Sequence, residues 1–276
     1  MERRRFLSLT AVTGVAFGGG STAGRMLASG PAPLVVSEDD DDDDEEVEDP
    51  RQGLRQLIWS VETDQPRAAL SFDDGPHPTL TPEILDILDR YGVKATFMPI
   101  GYQAWRHPDL VSDIVAAGHE LGHHTWSHMN LAKISVAETR NQIEASAKTI
   151  EDVAGVAVRW FRPPRGRLSE AAVRLVAGMG QDIVLWSVTR GALADRVPGV
   201  VADRVVAATG RGDIIDFHDG IGRGTFKPGS DDAHELMGRR LTELAALPDI
   251  LERIRERGIQ LGTISDLLAV RRPARA

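Results

Sequence analysis

The 276-residue chain has no cysteine. That excludes a disulfide framework and any thiolate metal site, and it leaves no thiol for a lipid anchor after export. There is no apolar run of the ~20 residues that an ordinary membrane span needs; the stretch from Leu9 to Phe17 is too short. Charge of one sign is also scarce once the ends are set aside. The formal net charge is −9, but residues 1–37 carry +3 and residues 38–49 carry −11, leaving −1 for the rest. A body so close to neutral argues against nucleic acid as the main partner.

What is present at the N-terminus has the order of an export signal. Arg3-Arg4-Arg5-Phe6-Leu7 precedes the apolar stretch, and Gly18-Gly19-Gly20 follows it. A basic start, a short apolar centre and small residues beyond describe a signal peptide, and paired arginines before Phe-Leu resemble the twin-arginine type. Residues 1–32 are therefore read as the signal, with cleavage between Ala23 and Ala32, and the mature chain as secreted without a membrane span. Residues 33–50 form an acidic linker, since a block of like charges repels itself and stays extended. Residues 51–276 form the folded domain.

From Arg67 the chain alternates between strand and helix patterns. Strands are predicted at 68–72, 94–100, 119–122, 158–161, 182–188, 213–217 and 259–263. Helices are predicted at 81–91, 108–117, 135–153, 169–179, 200–208, 235–257 and 265–270, with a break considered at Pro248. Gly92 sits just past one helix, and Ser135 with Glu138 forms a capping-box pattern before another. Alternation of this kind favours an α/β fold with a parallel sheet. Seven units in about 220 residues suggest a barrel or near-barrel, since a full eight-unit barrel takes ~250 residues; an open doubly wound sheet competes.

A barrel places its chemistry at the C-terminal ends of its strands, and the unusual polar residues fall there. Asp73-Asp74 follows the first strand, His123 to His128 the third, Arg162 to Gly166 the fourth, and His218-Asp219-Gly220 the sixth. Successive side chains on a strand point to opposite faces, so Asp73 and Asp74 need different tasks, and a cation would relieve their repulsion. A plain surface turn is the competing reading of Asp-Gly-Pro. His124 and His128 are spaced i, i+4; on one helical turn they would share a face. Joined by Asp74 they make a two-histidine, one-carboxylate site with positions left open. Zinc suits such a set, as does ferrous iron in oxygenases.

The segments Ser71 to Pro76, His124 to His128, Arg162 to Gly166 and Ile214 to Asp219 resemble the motifs of the polysaccharide deacetylases, carbohydrate esterases with a NodB-homology domain. The resemblance runs from about Arg67 to Leu268. It implies a distorted, incomplete (β/α) barrel of about seven parallel strands. It implies a hydrolase that removes N-acetyl groups from amino-sugar polymers such as peptidoglycan or chitin-like glycans, using water activated at a divalent metal. Zinc is the expected ion, with cobalt, nickel or manganese as alternatives, and a carbohydrate polymer is the expected partner. Asp74, His124 and His128 match the metal ligands, Asp73 the general base and His218 the general acid. Arg162 matches the arginine that holds the base, and the backbone N–H of Arg165 matches a donor to the oxyanion.

Three positions depart from the family pattern. Arg165 stands where an aromatic is usual. Thr189 to Leu193 lacks the family's aspartates and tryptophan, so that Ala192 replaces the carboxylate that tunes the acid histidine. Asp216 replaces a leucine two residues before His218. Residues two apart on a strand face the same way, so Asp216 is expected to pair with His218, Arg165 or Arg190, and either to take over the tuning of His218 or, bridged to Arg165, to reshape the acyl pocket and leave His218 alone. These departures keep two other functions in view: an O-acetyl esterase acting on xylan, and a non-catalytic glycan-binding protein on the same fold. An iron oxygenase is disfavoured. His77 and His123 are read as either lining the site or structural, His119 as buried in its strand, His107 and His234 as surface residues, and Trp126 as core. Gly220 to Gly229 is read as a rim loop.

Overall fold

The computed structural model describes residues 57–191, 196–222 and 229–272. The expected signal peptide and acidic linker, Ala192 and part of the 220–229 loop lie outside them.

The strand before the paired aspartates, β2 (Arg67–Asp73), is the centre of the fold: Ala68 to Asp73 are all buried. β1 (Leu57–Ile58) precedes it, and β3 (Thr96–Met98), β4 (Glu120–His123), β5 (Trp160–Phe161), β6 (Asp182–Val184), β7 (Val188–Thr189), β8 (Ile214–His218) and β9 (Gln260–Gly262) follow. Strand order is β1-β6-β5-β4-β3-β2-β8-β7, with every pair parallel. β9 lies beside the first half of β2, where Ala69 is flanked by Ile214 and Gly262.

The helices are α1 (Leu80–Tyr91), α2 (Gly101–Arg106), α3 (Pro108–Ala116), α4 (Val136–Ala154), α5 (Glu170–Gly178), α6 (Pro198–Ala208), α7 (Asp231–Glu256) and α8 (Ile264–Ala269). Together the elements make a curled, open (β/α) barrel. A parallel sheet covered by helices must be apolar on its outer face. Leu70, Phe72, Phe97, Ile215 and Phe217 fill that face and join the helix layer. Phe72 stacks on Phe97 with ring centroids 5.1 Å apart. The alternate residues Ala69, Met98, Trp160, Val184 and Ile214 form a second, inner cluster. Ser71, Asp73, Asp216 and His218 share their parity, so the inner face turns polar toward the strand ends.

The predicted rhythm holds, with differences. The segment expected as one strand at 182–188 is two, because Leu185–Ser187 crosses between opposite ends of the sheet. Leu185 N–H bonds Ile58 and Ser187 N–H bonds Ile214, at 2.6 and 3.0 Å. This crossing is where the barrel fails to close, and together with β1 it raises the strand number from seven to nine. α2 was not expected; its first residue, Gly101, bonds through its N–H to the Thr125 carbonyl at 3.0 Å. Pro248 lies inside α7 without ending it. An interior proline costs ~3 kcal/mol, and the burial of Leu244, Leu247, Ile250, Leu251 and Ile254 on this helix outweighs that at ~1.5–3 kcal/mol each. At α4 the Ser135 hydroxyl accepts from Glu138 N–H at 3.2 Å, but the Glu138 carboxylate receives Gln142 instead of closing a box. The reciprocal box is found at α8, between Thr263 and Asp266.

Candidate active site

Asp73 ends β2 on its inner face. Asp74 then takes φ +76°, a left-handed conformation uncommon outside glycine. That twist removes the strand alternation, so both carboxylates reach one place. His124 Nε2 lies 3.6 Å from Asp73 Oδ2 and 3.9 Å from Asp74 Oδ1. His128 Nε2 lies 3.4 Å from the same Asp74 oxygen. The two histidines are not on a helix, contrary to expectation. Thr125 and His128 have φ of +64° and +61°, and a tight turn brings the rings to 5.1 Å. Among the described residues the non-glycine residues with left-handed φ are Asp74, Thr125, His128 and Arg165, all at this rim. Strain of this kind persists where the surroundings over-determine it, and it gathers at functional sites.

The backbone around the rim is tied together. Ile100 N–H bonds the Gly75 carbonyl, His124 N–H the Pro99 carbonyl and Asp219 N–H the Asp73 carbonyl, at 2.9, 2.9 and 3.0 Å. Gly75 and Gly220 allow the closest approaches: a Cβ on Gly75 would fall 2.0 Å from the Asp219 carboxylate, and one on Gly220 2.1 Å from the Asp74 carbonyl oxygen. Buried Asp219 accepts from Gly75 N–H at 3.1 Å and from the Thr81 hydroxyl at 2.7 Å. Burial, with the charges of Asp74 and Asp73, raises its pKa to about 7.

Asp74, His124 and His128 form a set able to hold a metal ion, and their chemistry fits one. His124 Nδ1 lies 2.6 Å from the Arg162 carbonyl, which fixes that nitrogen as the donor and leaves Nε2 as a lone pair facing Asp74. Burial lowers both imidazoles to a pKa of about 4, so they are neutral ligands near pH 7. Asp74 Oδ2 accepts from Arg240 at 3.0 Å, whereas Oδ1 is buried with no hydrogen-bond partner among the described residues. Burial works against its ionisation, but His128 and Arg240 hold the carboxyl well below the usual range. An orphaned anionic oxygen 3.4–3.9 Å from the Nε2 atoms of two neutral imidazoles is what a cation would satisfy.

Beneath this set the Arg162 guanidinium plugs the barrel. One nitrogen, Nη1, reaches Asp73 at 2.7 Å, Asp216 at 2.9 Å and the Ser71 hydroxyl at 2.9 Å. Its Nε and Nη2 take the carbonyls of Val184 and Leu185, the residues where the barrel opens. Asp216 is therefore paired with Arg162, not with His218, Arg165 or Arg190 as expected. Two carboxylates share one guanidinium, and burial raises the pKa of both. Asp216, with the Asp73 charge added, rises to about 7.

His218 has a different partner. Its Nδ1 and its backbone N lie 3.1 Å from Glu243 Oε2. Burial and the Arg240 charge pull His218 down, but the charge and hydrogen bond of Glu243, with Asp216 behind them, raise its pKa. Glu243 Oε1 accepts from Arg240 at 3.2 Å and pairs in charge with Arg190, whose Nε is 3.0 Å away. Arg165 has φ +58° in a short 3₁₀ turn, and its exposed side chain lines the cleft.

The cleft, about 390 Å³, is bounded by Asp73, Asp74, His124, His128, His218 and Asp216 at its floor and by Arg165, Trp186, Arg190 and Arg239 on its walls. The expected residues thus converge. His77 and His123 do not join them: His77 Nδ1 accepts from Thr79 N–H at the start of α1, and His123 bonds Gln181 beneath the rim at 3.0 Å. His119 is buried just before β4 and accepts from Ala95 N–H. Trp126 is half-buried, edge-on to Tyr102.

Arg240 and Glu243 were not foreseen, while Arg190 and Asp219, both named from the sequence, take partners that were not: Arg190 pairs with Glu243 and Asp219 holds Gly75 and Thr81. For the first two a signal existed. The buried stripe Leu244, Leu247, Leu251 and Ile254 of α7, extended backward at helical spacing, passes through Arg240, and Glu243 lies one turn before Leu247 and two before Ile250.

Residues 60–184 match the family model described as polysaccharide deacetylase. A peptidoglycan-N-acetylglucosamine deacetylase of Bacillus cereus is 34% identical over 220 residues, covering 77% of this chain and 92% of that protein. The chain belongs to the polysaccharide deacetylase family. With its curated relatives named as deacetylases, it is a hydrolase of amide carbon–nitrogen bonds. Another deacetylase relative, the peptidoglycan-N-acetylmuramic acid deacetylase PdaC of Bacillus subtilis, is 32% identical; the match covers 79% of this chain and 42% of PdaC's length. Among solved deacetylases, a peptidoglycan N-acetylglucosamine deacetylase in complex with a naphthyl-substituted N-oxidanyl-benzamide superposes with a TM-score of 0.68 at 30% identity, covering 78% of this chain and 95% of that one.

Proposed function

We propose that this chain removes N-acetyl groups from the amino sugars of peptidoglycan, as a secreted enzyme. The observation that carries this is the meeting, at one rim, of a fitting Asp74–His124–His128 metal set, a carboxylate clamped by arginine (Asp73) and a histidine backed by a carboxylate (His218). When bound, a divalent ion, zinc first, lowers the pKa of water toward ~7 and polarises the acetyl carbonyl.

The chain's own groups do the rest. Asp73 accepts the proton of the attacking water, and Arg162 holds its carboxylate in place. The Arg165 backbone N–H donates to the developing oxyanion, a contact worth ~3 kcal/mol. His218, protonated, gives its proton to the amine as the carbon–nitrogen bond breaks, leaving acetate and a free amino sugar. The test is acetate release from N-acetylated glycans by zinc-loaded protein. Asp73→Asn should keep its zinc and lose ~10²–10⁴-fold in turnover; a fully active variant would refute the role.

Arg165 favours a second, narrower reading. An exposed guanidinium on the cleft wall suits a sugar carrying a carboxylate beside its N-acetyl group, as muramic acid does where its stem peptide has been removed. Mass spectrometry of treated, peptide-free glycan strands separates the residues. Loss of acetyl from muramic acid, reduced in Arg165→Ala, supports this reading; loss from glucosamine alone, unchanged in the variant, removes it. Acetate from acetylxylan but not from peptidoglycan would transfer the site to ester hydrolysis.

Export rests on Arg3-Arg4-Arg5 and the apolar run after them. Replacing the three arginines by lysine should leave the precursor inside the cell; unchanged export would exclude the twin-arginine route. Among the described residues no helix is long and apolar enough to cross a membrane.

A further inference from the structure

We propose that Glu243, on α7, is the residue that positions His218 for proton delivery, and that Arg240 joins this device to the metal ligand Asp74. The acid role of His218 rests on the deacetylase reading above; the positioning rests on geometry.

One carboxylate oxygen, Glu243 Oε2, receives both the backbone N–H of His218 and its Nδ1, each at 3.1 Å. A carboxylate only accepts, so Nδ1 carries a proton and the reactive nitrogen is Nε2. Anchoring the backbone and ring of one residue on one oxygen leaves the imidazole little freedom. The surroundings strengthen the bond. Phe72, Ile84, Phe217, Leu244 and Leu247 line the inner side of the Glu243–His218 contact, and a hydrogen bond whose acceptor is buried among apolar side chains is electrostatically stronger than one in water.

Glu243 is itself held. Its other oxygen accepts from Arg240 Nη1 at 3.2 Å and forms an ion pair with Arg190, whose Nε lies 3.0 Å away. Burial disfavours its charge, but His218, Arg240 and Arg190 keep its pKa below the ordinary value. Arg240 is forked: Nη2 reaches Asp74 Oδ2 at 3.0 Å and Nε reaches the Gly220 carbonyl at 2.8 Å. Spaced i, i+3, Arg240 and Glu243 thus tie one turn of α7 to both halves of the site. The other acidic groups near His218 are Asp73 and Asp74 at the end of β2 and Asp216 on β8; Arg162 takes Asp73 and Asp216, and Arg240 takes Asp74. Among the described residues Glu243 is the carboxylate that touches the ring.

The experiment compares wild type, Glu243→Gln and Glu243→Asp, each alone and in a His218→Ala background, with folding checked by circular dichroism and zinc by direct assay. Nitrogen-15 NMR of the His218 ring is recorded with and without zinc. The wild-type ring should show a single tautomer protonated at Nδ1, and Glu243→Gln should lose that preference. On an N-acetylated glycan, Glu243→Gln should lower kcat ~10–100-fold, the range for outer-shell partners, with KM within about twofold. Its basic limb should move to lower pH, since the group that raises His218 is gone. Glu243→Asp should recover part of the rate, and Glu243→Gln should add no loss once His218 is alanine. A wild-type tautomer and pH profile in folded Glu243→Gln, or an equal loss with and without His218, would overturn the proposal. If no acetylated glycan is cleaved by wild type, the deacetylase reading fails, and the NMR result still decides the positioning.

Discussion

Asp216 shows what a single residue's neighbours decide. Two positions before His218 on one strand, it was expected to tune that histidine. The Arg162 guanidinium, filling the barrel interior, claims it instead at 2.9 Å and sets it beside Asp73. Its effect therefore falls on the base. A second buried carboxylate sharing one guanidinium makes ionisation of Asp73 harder, and burial has already raised that pKa. Asp216→Asn should let Asp73 ionise at lower pH. The acidic limb of the pH–rate profile, where a protonated base is inactive, should move down, while the basic limb set by His218 moves less. A variant whose basic limb alone moves would return Asp216 to the acid. Which residues carry charge at the strand ends was legible in the sequence, because such groups have no business in a core unless paired. Which partner each takes was not, because Arg162 reaches Asp216 and Asp73 across 54 and 89 residues of chain.

At the scale of elements, the rim is an interlock of turns whose geometry depends on missing side chains. The turn after β8 presses Gly220 against the Asp74 carbonyl, so closely that a Cβ there would sit 2.1 Å from that oxygen. Backbone atoms cannot swing aside as a flexible side chain can. Gly220→Ala should cost ~1–3 kcal/mol in unfolding and weaken zinc binding, because the strain is relieved by moving Asp74. Thermal unfolding and a zinc titration check both; wild-type values in each would show that the two turns are not coupled. The same closeness explains the misread turn at His124–His128. The i, i+4 spacing suggested a helix, and two left-handed residues, Thr125 and His128, replace it. Periodicity reports regular structure, and strained turns have none to report. The longer elements were legible because capping and apolar spacing agreed, as at α1 with Gly92 and α4 with Ser135. The crossing at Leu185–Ser187 was hidden because an apolar segment that changes neighbours looks like one that does not.

Across the whole molecule, the open barrel gathers the proposed metal set, base and acid at the ends of β2, β4 and β8, and α7 closes them from behind. The helix layer and the inner cluster hold the fold, so on the proposed mechanism the metal serves chemistry and not folding. His124→Ala should therefore lose zinc and activity while keeping its circular dichroism spectrum. The most direct test of the account is acetate release from peptidoglycan by the purified protein, measured after chelation and again after one equivalent of zinc. The account predicts none from the chelated, still folded protein and restored release with zinc. Equal release in both states, or none in either while zinc binds at Asp74, His124 and His128, would contradict it.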